Sequence, residues 1–155
     1  MLLFIIFIPL LNTLIIQLFG FLLNKKNLLR LVCFNMVFIL LLTYFLIYEV
    51  ILCDTKAYLK LGNWIVCTTI DISWGFIFDS LSVMMLFVIL SISTAVHIYS
   101  LEYMGEDPFI KRFISYLSLF TFFMIILVTG DNLLQMFVGW EGVGLCSYLL
   151  INFCF

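Results

Sequence analysis

Charged side chains are scarce in this chain, and their scarcity defines the environment in which it folds. Lys and Arg contribute seven residues and Asp and Glu nine, which is 10% of 155, whereas hydrophobic residues make up 66% and the mean hydropathy is +1.29. A water-soluble domain of this length has too little interior to bury that much apolar surface. The composition therefore predicts a membrane protein. The small net charge of −2, with no basic stripe, argues against nucleic-acid binding.

Cysteine and histidine patterns of the kind that hold metals are also lacking. None of the five cysteines forms a CxxC or a Cys/His cluster with ligand spacing, so we expect no metal site and no disulfide framework. Cys53 and Cys67 flank one loop, and a disulfide between them is one interpretation, but free thiols are the expected state. The others, Cys33, Cys146 and Cys154, lie within or at the end of apolar runs, where cysteine behaves as a small hydrophobe.

The first apolar run lacks the features of a signal peptide. No basic segment precedes it and no small-residue cleavage site follows it, so it is predicted to be a retained span. Apolar runs of about 20 residues cross a bilayer as helices. Five such spans are predicted, at about 2–23, 31–51, 76–99, 113–128 and 133–155. Asn12 and Gln17 in the first span are expected to face protein rather than lipid.

The segment at about 53–73 is more polar and predicts a β-hairpin outside the bilayer. Short β-rich runs flank Gly62-Asn63, a typical turn pair. Trp64 and Trp74 fit an interfacial aromatic belt. The fold class is therefore an all-α membrane protein of about five transmembrane helices, with a short extramembrane hairpin between helices 2 and 3.

Helix ends and loop charges set the expected topology. Asp79 is expected in the first turn of helix 3, where the helix dipole favours a carboxylate. Gly130 is expected to end helix 4, and Asp131 to cap helix 5. Basic residues gather in loops 1–2 and 3–4 rather than in loops 2–3 and 4–5, which predicts an outside N-terminus and an inside C-terminus. The five inner residues are Lys25, Lys26, Arg30, Lys111 and Arg112, against Lys56 and Lys60 outside.

Glu141 is the residue most indicative of function. It lies about 15 Å beyond Asp131 along helix 5, near the middle of the hydrocarbon core. A carboxylate at that depth is unfavourable unless it is paired or hydrated, so it predicts proton or cation handling. Gly139, Gly142 and Gly144 allow close approach of a neighbouring helix. Helix packing alone explains the glycines about as well, but it does not explain the glutamate.

His97 is the second candidate, as a proton-entry group near the inner interface. The competing interpretation is a structural histidine, and the sequence favours that one. No Lys, Arg or His occurs from residue 113 onward, so a cation that pairs with Glu141 must come from elsewhere.

Several motifs together resemble subunit 5 of respiratory complex I, the distal antiporter-like membrane subunit. The match is most specific in helix 5. The motifs are DSLS at 79–82, HIYS at 97–100, YMGEDP at 103–108, LVTGDN at 127–132 and QMFVGWEGVGLCSYLLINF at 135–153.

The resemblance implies a bundle with inverted five-helix repeats, of which residues 1–112 are an N-terminal three-helix segment and residues 113–155 the first two repeat helices. It implies that Glu141 belongs to a proton path and pairs with a lysine two helices later. Because family members have well over ten spans, we expect a split subunit completed by a separate C-terminal fragment.

Partners and cofactors follow from the same resemblance. It implies other complex I membrane subunits as partners and the mitochondrial inner membrane as location, in preference to a bacterial plasma membrane. Flavin and iron–sulfur clusters are expected on other subunits, and no cofactor is expected on this chain. Lipid, in particular cardiolipin, is a candidate near Lys25, Lys26 and Arg30. Two other functions stay open, a subunit of a multisubunit cation/proton antiporter and a structural membrane scaffold.

Overall fold

The computed structural model describes residues 1–20 and 24–153, and these form five α-helices and one two-stranded sheet. All five helices are long and apolar enough to cross a membrane, which confirms the predicted fold class. The predicted ends of the first and fifth spans, at 21–23 and 154–155, and with them Cys154, lie outside the described residues. The helices are α1 (Leu2–Phe19), α2 (Lys25–Ile47, continued by a π-helical turn at Tyr48–Leu52), α3 (Ser80–Tyr103), α4 (Ile110–Thr129) and α5 (Leu133–Phe153).

The hairpin is present, but its predicted turn is wrong. Strand β1 (Ala57–Val66) runs straight through Gly62-Asn63 and pairs antiparallel with β2 (Asp71–Phe78). The strand pairing shifts register on both sides of the Gly-Asn pair, so the pair lies at an irregularity within β1. Glycine is often found at such irregularities in sheets. The chain reverses instead at 67–70, closed by a hydrogen bond from the Cys67 N–H to the Ile70 carbonyl.

Helix α3 starts later than the sequence suggests, because 76–78 belong to β2. Asp79 is the N-cap rather than a first-turn residue, and its carboxylate accepts hydrogen bonds from the N–H and hydroxyl of Ser82 at 2.9 and 2.7 Å. The predicted cap of α5 is also displaced by one position. The side chain of Asn132, not of Asp131, accepts the Gln135 N–H at 3.0 Å. Helix α4 ends before Gly130 as predicted.

Helix α4 is central to the packing. It contacts α1, α3 and α5, and α2 lies against α1 and α3, so α1 and α4 pack across the division predicted at residue 112. One buried cluster includes Ile5, Met36, Leu86, Leu90 and Ile125, and a second lies around Ile16, Leu28, Val32, Ile110 and Ile114.

Polar side chains inside the spans differ in their hydrogen-bond partners. Asn12 is buried and accepts a hydrogen bond of 2.7 Å from Asn35, which ties α1 to α2. Gln17 is exposed and lines a cavity with residues of α4. Thr13 and Thr43 donate to the carbonyl four residues earlier on their own helix, so their hydroxyls are satisfied without a partner helix.

The loops alternate between two faces of the bundle. On one face, Lys25 donates hydrogen bonds of 2.9 Å to the carbonyls of Gly105 and Asp107, which ties the start of α2 to loop 3–4. On the other, Tyr58 of the hairpin donates a 2.8 Å hydrogen bond to Asp131 in the α4–α5 turn. The five basic residues predicted in loops 1–2 and 3–4 lie instead near the starts of α2 and α4, and they share one face.

Candidate functional site: an intramembrane carboxylate on helix α5

One face of α5 is packed tightly against α4. A Cβ added at Gly139 would lie 2.7 Å from the backbone nitrogen of Leu127, and one at Gly142 would overlap the ring of Phe123. Cys146, two turns beyond Gly139, is fully buried. These glycines therefore allow the close helix contact that the sequence predicts.

The opposite face of α5 carries Glu141. The carboxylate shares this face with Gly144, Leu145 and Tyr148, at the i, i+3, i+4 and i+7 positions of a helix. With Phe123 and Trp140, these residues line an open groove of about 640 Å³. A Cβ added at Gly144 would meet no atom within 4 Å, so this glycine widens the groove rather than packing a helix.

Glu141 lies at mid-depth and is exposed. It follows Leu133 by about 12 Å along a helix that spans roughly 30 Å. Within residues 1–20 and 24–153 its carboxylate has no hydrogen-bond or ion-pair partner. A carboxylate in that position needs a cation, a hydrogen-bond donor or water beside it. Chemically, the groove can hold one exchangeable proton at the centre of the membrane.

The start of α5 is fixed by the hairpin. Gly75 donates its N–H to the side-chain carbonyl of Gln135 at 3.2 Å and accepts the N–H of Asp131 at 3.2 Å. Asn132 donates a 2.7 Å hydrogen bond to the Ser73 carbonyl, and Phe76 forms a bridge with Gly130. The hairpin therefore holds the helix that bears Glu141 at the N-terminal end of that helix.

His97 lies between α3 and α4 and is fully buried. Its Nδ1 is 2.8 Å from the Ser93 carbonyl and its Nε2 is 3.1 Å from the Ser118 hydroxyl. Nδ1–H thus donates to the carbonyl, and Nε2 accepts from Ser118. The row of polar groups continues through Ser93 to the Thr121 hydroxyl, 2.6 Å away. Among the described residues, the groove around Glu141 and the polar row around His97 share no residue, so the structure does not bring the two predicted site residues together.

Sequence reasoning missed the hydroxyl partners of His97 and the role of Gln135. The spacing of Ser118 and Thr121, one helical turn apart, is a weak signal, because serine and threonine are frequent in membrane helices. Cys53 and Cys67 are free thiols in the structure.

The fold and the site define a class, a multi-pass α-helical membrane protein with a carboxylate at mid-membrane. Comparison with known proteins identifies a family within this class. Residues 64–114 match the family model described as NADH-Ubiquinone oxidoreductase (complex I), chain 5 N-terminus. The whole chain is 52% identical to NADH-ubiquinone oxidoreductase chain 5 of Phytophthora infestans and 51% identical to that of Arabidopsis thaliana. The Dictyostelium discoideum protein of the same name is 44% identical over 94% of the chain.

The chain belongs to the NADH-ubiquinone oxidoreductase chain 5 family and corresponds to its N-terminal part. It spans 23% of the length of the Phytophthora and Arabidopsis relatives.

Proposed function

We propose that this chain contributes to proton translocation by respiratory complex I, coupled to electron transfer from NADH to ubiquinone, and that Glu141 carries the proton. The observation that supports this most is the exposed carboxylate in an open groove at mid-depth of α5, in a chain whose relatives are complex I chain 5 proteins. The structure of α5 fits the proposal, since packing on α4 leaves the Glu141 face exposed to a partner.

The proposed mechanism is a change in what faces Glu141. A lysine beside the carboxylate favours its ionised form, and withdrawal of that lysine in a low-dielectric groove favours protonation. Alternation of the two states loads and releases one proton. The lysine is proposed to lie on helices that correspond to the remaining length of the family.

Partners and location complete the proposal. We place the chain in the mitochondrial inner membrane beside other complex I membrane subunits, with its N-terminus on the intermembrane-space side and its C-terminus on the matrix side. The face that carries the five clustered basic residues is then the matrix side. Flavin and iron–sulfur clusters, which perform the electron transfer, are proposed to lie on other subunits. Phospholipid, cardiolipin among them, is proposed to gather around the exposed side chains of Lys26 and Arg30.

His97 has two proposed roles that differ in what they require. As a proton-entry group it must bind and release a proton within the polar row from Ser118 to Thr121. As a structural residue it only needs to hold α3 against α4, and both ring nitrogens already have partners for that role. The hydrogen-bond geometry favours the structural role.

The deciding experiment replaces Glu141 with glutamine in the assembled complex and measures NADH oxidation and proton uptake in sealed membrane vesicles. Glu141→Gln keeps the side-chain size and removes the titratable proton, so we expect the number of protons moved per NADH to fall. The matched control is Glu102→Gln, which makes the same change at an exposed position near the end of α3, and we expect it to leave the ratio unchanged.

Two outcomes would contradict the proposal. Equal ratios for the two variants would indicate a structural scaffold. Copurification of the chain with cation/proton antiporter subunits and without NADH-oxidising partners would place it in a transporter.

A further inference from the structure

A second polar site lies on the face opposite the hairpin, between the last turn of α1 and the start of α4. It is a cavity of about 360 Å³ lined by Ile16, Gln17, Lys111, Arg112, Ser115 and Tyr116. It is separate from the Glu141 groove, which touches α4 at Phe123, about two turns farther along that helix than Tyr116. None of these six lining residues is acidic, so their net charge is positive.

Ser115 points to a ligand. Its side chain is 1% exposed, and its hydroxyl oxygen is buried without a hydrogen-bond partner among the described residues. A buried hydroxyl without a partner is unfavourable, and such groups are rare in folded proteins. The hydroxyl rotates among three staggered positions, so it can donate to an acceptor placed in the cavity it lines. An anionic oxygen is the acceptor that two neighbouring cations favour.

The cations are positioned at the right depth for a lipid headgroup. Lys111 and Arg112 lie in the first turn of α4, and Ser115 and Tyr116 follow one turn deeper. A 20-residue helix spans about 30 Å, so its first turn lies where hydrocarbon meets the headgroups. The ammonium of Lys111 contacts the Gly20 carbonyl at the end of α1, which holds its charge beside the cavity. Arg112 is exposed, and its planar guanidinium binds phosphate oxygens in pairs.

An apolar surface continues from the cavity into the membrane. Leu14 lies one turn from Gln17 along α1, and both Leu14 and Leu18 are exposed. An acyl chain can lie against them while its headgroup occupies the cavity. A phosphate dissolved in water gains nothing from this surface, so the arrangement favours a lipid over free phosphate.

We propose that this cavity binds the phosphate of an anionic phospholipid, with Ser115, Lys111 and Arg112 as its ligands. The site is independent of the proton pathway. It differs from diffuse attraction of lipid to the exposed basic residues, because it requires an uncharged buried hydroxyl.

The test uses the intact membrane complex in phosphatidylcholine nanodiscs that contain phosphatidylglycerol, with native mass spectrometry to measure how much phosphatidylglycerol is retained. Ser115→Ala removes one hydrogen bond to a charged acceptor, so we expect about a tenfold loss of affinity. The matched control Ser91→Ala removes a hydroxyl that donates only to the Val88 carbonyl, and no loss is expected. Folding is not at risk, since Ser115→Ala deletes an unsatisfied group.

A second pair of variants separates the cavity from surface charge. Arg112→Gln should lower retention by about tenfold, whereas Lys26→Gln, on the same face but outside the lining, should lower it less, because exposed charges are screened by salt. Equal affinity in Ser115→Ala and Ser91→Ala would overturn the proposal. Displacement of the lipid by an equal concentration of inorganic phosphate would also overturn it, since the ligand would then come from water.

Discussion

The close contact between α4 and α5 makes a quantitative prediction about Gly139. A methyl group in Gly139→Ala would lie 2.7 Å from the backbone nitrogen and 2.9 Å from the Cα of Leu127. Backbone atoms cannot rotate away, so the helices must separate by about 0.7 Å to reach the 3.4 Å of ordinary contact. Overpacking of this kind costs roughly 1–3 kcal/mol.

Cys146 is a natural reporter of that separation, because it is buried on the same face of α5. With the other cysteines replaced, labelling by a lipid-soluble maleimide measures how often the α4–α5 contact opens. Each 1.4 kcal/mol is a factor of ten, so we expect labelling of Gly139→Ala to be roughly 5–150 times faster than that of the parent protein.

Gly144→Ala is the control, since its methyl group meets nothing within 4 Å. Both variants gain the same helix propensity, about 1 kcal/mol, so the difference between them isolates the clash. Equal labelling rates would refute the inference that Gly139 sets the spacing of these helices.

Three further predictions concern the hairpin, the α3 cap and the buried histidine. Gly75→Ala places a methyl 2.8 Å from the Tyr58 hydroxyl, so it should break the hydrogen bond to the α4–α5 turn. The variant should lose about 1 kcal/mol, and combination with Tyr58→Phe should add little, as a double-mutant cycle by thermal unfolding would show. Asp79→Ala should cost about 1 kcal/mol of stability through the lost cap. The Ser82 hydroxyl and N–H hold the pKa of Asp79 below its ordinary 3.8. The stabilisation by the cap is therefore complete above pH 3.8 and is lost as the pH falls through the folded-state pKa of Asp79. In an acid titration, the stabilities of the parent protein and Asp79→Ala should converge at that low pH. His97→Ala should lose roughly 2–4 kcal/mol of stability, because it leaves a cavity and unpaired hydroxyls. His97→Gln keeps a donor and an acceptor, so it should lose less in the same unfolding assay. Equal losses in the two variants would contradict the hydrogen-bonded role of His97.

Hydropathy predicts the spans because the hydrocarbon thickness fixes their length, and the number of apolar runs gives their number. The hairpin turn was misplaced because a Gly-Asn pair is a strong local signal, while the pairing of Gly62 with Trp74 depends on β2. The extended residues of β2 also shortened α3, which periodicity cannot detect in a uniformly apolar run.

The candidate site also has one part that the sequence indicates and one part that it does not. Glu141 was predictable, since one carboxylate in an apolar run stands out. The burial of His97 depends on Ser118 of α4, and the Ser115 cavity depends on α1, almost 100 residues earlier in the chain. Both arise only when distant helices meet, so one sequence carries little information about them.

The hydrogen bond between Tyr58 and Asp131 also bears on the order of synthesis. The two residues are 73 positions apart, so at 5–20 residues per second Tyr58 leaves the ribosome roughly 4–15 s before its partner. The hairpin can form early, but it can dock only after α4 has been made and the α4–α5 turn has reached the same side of the membrane as the hairpin. Docking is therefore a late checkpoint in biogenesis that reports on the insertion of a helix the hairpin does not belong to.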